Sequence, residues 1–276
     1  MTTLTARIEG IAFWTRGLPT WDSAVTYART AAVPLEAPTR PSPQLLAPNE
    51  RRRAPETVAV ALEVALAACQ AAGRDPATLP SVFASTHGEL GITDYMCETL
   101  ASAPRTISPI RFHNSVHNAA AGYWTIGAGA MAAATAISAL HASFAQGLLE
   151  ALAQLADGAP AVLLVGYDGA SAGPLAGVTR SEGLLGGALV LARDASLGRD
   201  PMTLAATLAD GAPPDHDGPL ARFAAGNAMA TMLPLFDALA AGRGHATLEA
   251  GPGRVLDLSL AHAPAPPKIA NEPLHA

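Results

Sequence analysis

A chain of 276 residues is long enough to bury a substantial core as one large domain. Half of its residues are hydrophobic, only 14% are charged and the mean hydropathy is +0.24, so apolar surface is left over for an obligate partner. A formal net charge of -6 and a pI near 5.7 exclude non-specific nucleic-acid binding and docking on anionic lipid, which leaves proteins or small molecules as partners.

In chain order, Ile8–Trp14 reads as a first strand and Leu18–Thr30 as a loop with a short helix. Pro34, Pro38, Pro41, Pro43 and Pro48 make a connection that cannot be helix, ending in the charged run Asn49–Arg53. Glu56–Ala72 carries Val58, Leu62 and Leu66 at helical spacing and stops at Gly73. Pro80–Ser85 is a short buried strand, Asn118 a natural N-cap for a helix running through Ile126, and Thr135–Ser138 a weaker strand. Phe144–Ala156 is a helix, and Ala161–Val165 and Ala188–Ala192 are apolar strands. Beyond Arg193, Met202–Leu208 reads as a strand, Pro219–Ala241 as helical with a break near Pro234, and Arg254–Leu260 as a strand that closes a sheet. Short apolar runs alternating with longer helices predict an α/β layered domain over residues 1–262, with a disordered tail over 263–276. No internal repeat of solenoid length is present.

The stretch Ala119–Leu149 contains no Asp, Glu, Lys or Arg and has the length of a membrane span. It is mostly Ala, Gly, Ser and Thr and holds His141 and Gln146, so it reads as buried strand and helix with no membrane span. Cys69 and Cys97 form no CxxC pair, and Met1–Gly10 lacks an apolar signal core, so the expected setting is reduced and cytoplasmic.

Residues Pro104–Phe144, PRTISPIRFHNSVHNAAAGYWTIGAGAMAAATAISALHASF, resemble the β-ketoacyl synthases of fatty-acid and polyketide synthesis. The resembling positions include Pro104, Arg105, Ile107–Pro109, Asn118, Ala121, Gly122, Thr125, Ile126 and Gly129. Upstream, FASTHGELG (Phe83–Gly91) is similar to the family's glycine-rich strand end; downstream, GAPAVLLVG (Gly158–Gly166) and GLLGGALVL (Gly183–Leu191) resemble later strands. The resemblance implies a thiolase-like layered fold with its N-terminal half complete and its C-terminal half abbreviated. In that family a nucleophilic cysteine lies at a strand-to-helix junction, where a helix N-terminus lowers the thiol pKa and backbone N–H groups stabilise an oxyanion. By the resemblance His141 occupies that place, and an imidazole cannot form the acyl thioester. The family's remaining catalytic residues belong to a second half for which the 83 residues after Arg193 leave no room, and none of its glycine-rich histidine or asparagine motifs occurs there.

The closer resemblance is therefore to the family's non-catalytic chain-length factors, which pair with an active synthase and shape its acyl tunnel. The Asn49–Arg53 run, FHNSVHNAAAGYW and the short length are similar to a small subunit found with aryl polyene pathways. This implies a heterodimer with an active ketosynthase, acyl chains delivered on a carrier protein, and no cofactor or metal. It also implies pocket or interface roles for Thr86, Arg111, Phe112, His113, His117, Asn118, Ala136 and His141, with the Ala134–Ser138 strand pairing across the dimer axis.

Other chemistry has to be weighed against this. His113 and His117 have the i, i+4 spacing of two metal ligands on a helix, but Asn114 stands where a zinc protease needs Glu and a third ligand is lacking, so loop and capping roles are the plainer account. His141 beside Ser138 and Ser143 suggests a stand-alone thioester hydrolase or acyltransferase, as does the His113/His117 pair, yet neither serine lies in a G-x-S-x-G elbow and a buried or pocket-lining histidine is the default. A homodimeric acyl-binding protein is a third reading. Arg51–Arg53 could meet an acidic carrier protein, although a solvated helix entrance accounts for it as well.

Overall fold

The structure is a computed structural model and describes residues 2–193 and 202–262; the tail expected over 263–276 lies outside them. Eight strands form one sheet in the order β3-β2-β4-β5-β1-β6-β8-β7. They are β1 (Thr3–Thr15), β2 (Ser81–Ala84), β3 (Ala134–Ile137), β4 (Ala161–Asp168), β5 (Leu185–Ala192), β6 (Met202–Asp210), β7 (His245–Gly251) and β8 (Arg254–His262). β2 is parallel to both β3 and β4, and every other pairing is antiparallel.

β4 and β5 are buried along their whole length, as expected of continuous apolar runs covered on both faces. On one face lies α3 (Glu56–Ala72), with α6 (Ala119–Ala128) beyond it. Because α3 is sandwiched, it is apolar nearly all round, burying Val58, Val60, Leu62 and Val64 together. Gly73 ends it in the left-handed conformation at φ 64°. The opposite face carries α7 (Ser143–Ala156), α9 (Leu233–Ala241) and the shorter α1 (Trp21–Thr30) and α8 (Pro219–Phe223) around Phe13, Phe144 and Phe236. Close approach is bought with glycine: a Cβ on Gly10 would lie 2.2 Å from the Ala68 carbonyl oxygen of α3. Next to Gly10 the β1–β5 register shifts at Glu9, whose buried carboxylate accepts two hydrogen bonds from Arg74 at 2.8 and 3.0 Å.

Four elements are absent from the sequence reading: α2 (Pro48–Arg53), α4 (Leu90–Ser102), α5 (Pro109–Asn114) and β7. The proline-rich connection is non-helical as expected up to Ala47, and Pro48 then opens a six-residue helix, α2 (Pro48–Arg53), at a position where its missing N–H costs nothing. The helical break is not at Pro234, which sits harmlessly in the first turn of α9. It falls at Ala224–Asn227, after which Asn227 caps a 3₁₀ turn (Ala228–Met232) through the Met229 N–H. β8 does not close the sheet, because β7 pairs outside it. Asn118 directly precedes α6, but its side chain makes no capping bond.

After β5 the chain adds three antiparallel strands to the edge of the same sheet, and the described residues contain no second sheet. β7 packs on α9 and against the 3₁₀ turn Leu140–Ala142 that follows β3. Gln146 Nε2 of α7 donates to the Ala250 carbonyl at 2.7 Å, so the sheet curls round and its far end covers the junction between β3 and α7. The uncharged stretch Ala119–Leu149 divides into α6, β3 and the start of α7, and among the described residues no helix is long and apolar enough to cross a membrane.

Candidate functional site

The C-terminal ends of β2, β3 and β4 meet at one place, organised by the last residue of β4. Asp168 is fully buried, and its carboxylate accepts the Ser85 hydroxyl at 2.6 Å and the backbone N–H groups of Thr86 and His87 at 2.9 and 3.2 Å. Burial pushes its pKa up, against the pull of those hydrogen bonds, and the neighbouring Tyr167 phenol is raised by burial and by Asp168 itself. The Asp168 backbone carbonyl accepts from Asn227 Nδ2 at 3.2 Å, which ties the C-terminal segment to the same point.

The loop held by Asp168 then grips the turn beyond β3. The Thr86 carbonyl accepts the Ser138 hydroxyl at 3.0 Å, and the Thr86 hydroxyl reaches the Leu140 carbonyl at 3.4 Å. His117 places Nε2 2.9 Å from the Ser85 carbonyl, and His87 Nε2 lies 2.6 Å from the Thr179 hydroxyl. Leu140 holds a left-handed φ of 52°, a costly conformation for leucine, braced by Ser143, whose hydroxyl accepts the Ala139 N–H and donates to the Leu140 carbonyl. His141 follows in that turn, at the junction of strand and helix that the sequence implies. It is exposed within this chain, which corrects the expectation of burial.

The sequence-derived residues divide into two groups. Thr86, His117 and the His141 turn are brought together through the 85–88 loop. Arg111, Phe112, His113 and Asn118 lie on the surface: Arg111 stacks 4.0 Å above the Tyr95 ring, Phe112 is 59% exposed, and His113 meets Tyr123 edge-on. His113 and His117 do not share a helix face, because α5 ends at Asn114. Among the described residues no group of three His, Cys, Asp or Glu side chains could hold a metal. Ala136 lies on the edge strand β3, opposite Phe83 of β2, and is half-buried; burial of β3 on both faces does not hold within one chain. Met131 and Leu140, close to β3 in sequence, are exposed, as are Ile126 of α6 and Ile110, Phe112 and Val116.

Nucleophile chemistry finds little support. Ser138 and Ser143 both donate to backbone carbonyls, and Ser143 is wholly buried. Cys69 is enclosed in α3, where burial and Asp75 push its thiol up to about 12, and Cys97 sits on the outer side of α4. Ser85, Asp168 and Asn227 were not singled out from the sequence, and the available signal was a charge ending the apolar run AVLLVGYD.

The Asp168 anchor is open to test. In Asp168→Asn, either amide orientation sets an NH₂ against a backbone N–H, and stability in urea should fall by about 1–3 kcal/mol. An unchanged unfolding midpoint would show that the carboxylate does not hold the loop.

Comparison with known proteins agrees with this architecture. The model of the β-ketoacyl synthase N-terminal domain matches residues 24–247. Among solved structures, a chain of the ketosynthase (ApeO)–chain length factor (ApeC) complex from Xenorhabdus doucetiae superposes with a TM-score of 0.73 at 24% identity, covering 93% of this chain and 99% of that one. The ishigamide ketosynthase/chain length factor gives 0.70 at 15% identity, with 93% and 99% covered. AntDE:AntF, a type II polyketide acyl carrier protein in complex with its ketosynthase, gives 0.68 at 14%, with 94% and 99% covered. Curated proteins compared by sequence give no match. With the family's N-terminal domain spanning most of its length and a thiolase-like sheet built as that domain requires, the chain belongs to the β-ketoacyl synthase family.

Proposed function

We propose that this chain is a non-catalytic, chain-length-factor-like subunit that dimerises with an active β-ketoacyl-[acyl carrier protein] synthase and shapes its acyl tunnel, in polyketide synthesis of the aryl polyene kind. The observation that carries the reading is His141. It stands in the strand-to-helix turn where the resemblance aligns the family's cysteine, while both cysteines of the chain lie elsewhere. The turn is nonetheless built with care, in a strained and fully braced conformation, which is what a retained scaffold without its nucleophile needs.

The surface supports a partner of the same fold. A β3 edge with unpaired backbone groups is an aggregation liability unless another strand covers it. Exposed Met131 and Leu140 flank β3 in sequence, in a chain with only 14% charged residues. The matched chain in the Xenorhabdus doucetiae ketosynthase–chain length factor complex is covered to 99%. A hydrolase centred on His141 is disfavoured because its neighbouring serines are engaged with backbone.

Two substitutions test the proposal. Ala136→Arg puts an unpaired charge into the edge that the partner should cover, so the variant co-expressed with its synthase should elute as separate subunits in size-exclusion chromatography. An intact complex would place the interface elsewhere. Phe112→Ala opens volume at the segment proposed to reach the partner's pocket and leaves the partner's nucleophile untouched. The reconstituted complex should condense short chains at a comparable rate and shift its products toward longer ones. An unchanged product distribution in an intact complex would move chain-length control away from this segment.

A further inference from the structure

A groove of about 660 Å³ runs between α2, α5 and α6. Ile110, Val116 and Ile126 line it, and they are 57%, 46% and 81% exposed. Single exposed hydrophobes are ordinary, but three large ones gathered in one concave surface mark a place where something else is bound. His113 and Tyr123, set edge-on to each other, add the polar part of the lining.

Gly122 of α6 also lines the groove, and nothing within the chain requires a glycine there. Its backbone is ordinary right-handed helix, where glycine costs stability relative to alanine, and an added Cβ would meet no atom within 4 Å. Gly127, further along the same helix, differs: a Cβ there would lie 2.9 Å from the Leu45 side chain. The missing side chain at Gly122 therefore leaves room for a group that comes from outside.

Charge indicates what kind of group. The three helices around the groove carry four arginines, Arg51, Arg52, Arg53 and Arg111, against one glutamate, Glu50, in a chain whose net charge is -6. Arg53 and Glu50 line the groove itself, and Arg52 and Arg53 are exposed. Among the described residues Arg52, Arg53 and Glu50 make no ion pair. An apolar trough with a basic border in an acidic protein is the complement of an amphipathic helix whose polar face is acidic.

We propose that this groove docks an acidic amphipathic helix of the acyl carrier protein, with the helix's apolar face on Ile110, Val116 and Ile126 and its carboxylates toward Arg52 and Arg53. The inference rests on the partner reading, which brings a carrier protein to the complex. A carrier protein has to leave after each transfer, and a groove of this size suits such a transient contact, whereas permanent subunits bury far more surface.

The test is calorimetric titration of the full-length chain with the unacylated carrier protein that serves its synthase. Binding should saturate with a Kd on the order of 10–100 μM and weaken about tenfold as NaCl rises from about 50 to about 300 mM. The double variant Arg52→Glu/Arg53→Glu should weaken binding at least about tenfold at the lower salt and flatten the salt dependence. Gly122→Leu, which fills the groove, should weaken it about tenfold at both salt concentrations and keep or raise the thermal midpoint. Both variants should still co-elute with the synthase. Absence of saturation up to about 500 μM, affinity unaltered in both variants, or a Gly122→Leu variant that binds the carrier normally but releases the synthase would each overturn the assignment. Because the titration uses the chain alone, a wild-type chain that fails to co-elute with the synthase counts against the partner reading and not against the groove.

Discussion

β4 and β5 are buried on both faces along their full length, and that demand for cover organises the molecule. Polar backbone in such strands is satisfied only by neighbouring strands, and their apolar side chains need a helical layer on either side. α3 and α6 supply one layer, α7 and α9 the other. With the faces occupied, the sheet can grow only at its edges. At one end β6, β8 and β7 extend it and curl back until Gln146 holds Ala250. At the other end β3 is half-buried and, among the described residues, pairs only with β2, so on the proposed reading that edge receives the second subunit.

On the proposed reading, the same geometry keeps the turn in form while the nucleophile comes from the partner. Asp168 fixes the 85–88 loop, Thr86 and Ser138 join that loop to the turn, and Ser143 braces the left-handed Leu140. What the turn then presents is His141, an imidazole with no activated nucleophile beside it. The C-terminal strands cover the turn from β7, as an extension of the same sheet.

How far the sequence is legible depends on the range of the interactions concerned. The helix Glu56–Ala72 reads cleanly because its stop signal, Gly73, is local, and β4 and β5 read from apolar runs alone. α4 is missed because it buries only Leu90 and Thr99 and so shows no apolar stripe, and β7 because its inward positions Ala246 and Ala250 are too small to mark an alternation. Asn118 and the His113/His117 pair mislead for a related reason: spacing suggests a cap and a shared helix face, but α5 ends between the histidines. Asp168 and Ser85 are 83 positions apart, and His117 finds its partner 32 positions away, so no local pattern announces the network.

The central claim is that this chain contributes form and a partner contributes the nucleophile. It is tested most directly by a condensation assay with acyl- and malonyl-carrier proteins, run on the purified chain, on its synthase and on the complex of the two. The account predicts no product from the chain alone and full activity only from the complex. A condensation product formed by the chain alone, and lost in His141→Ala, would contradict it.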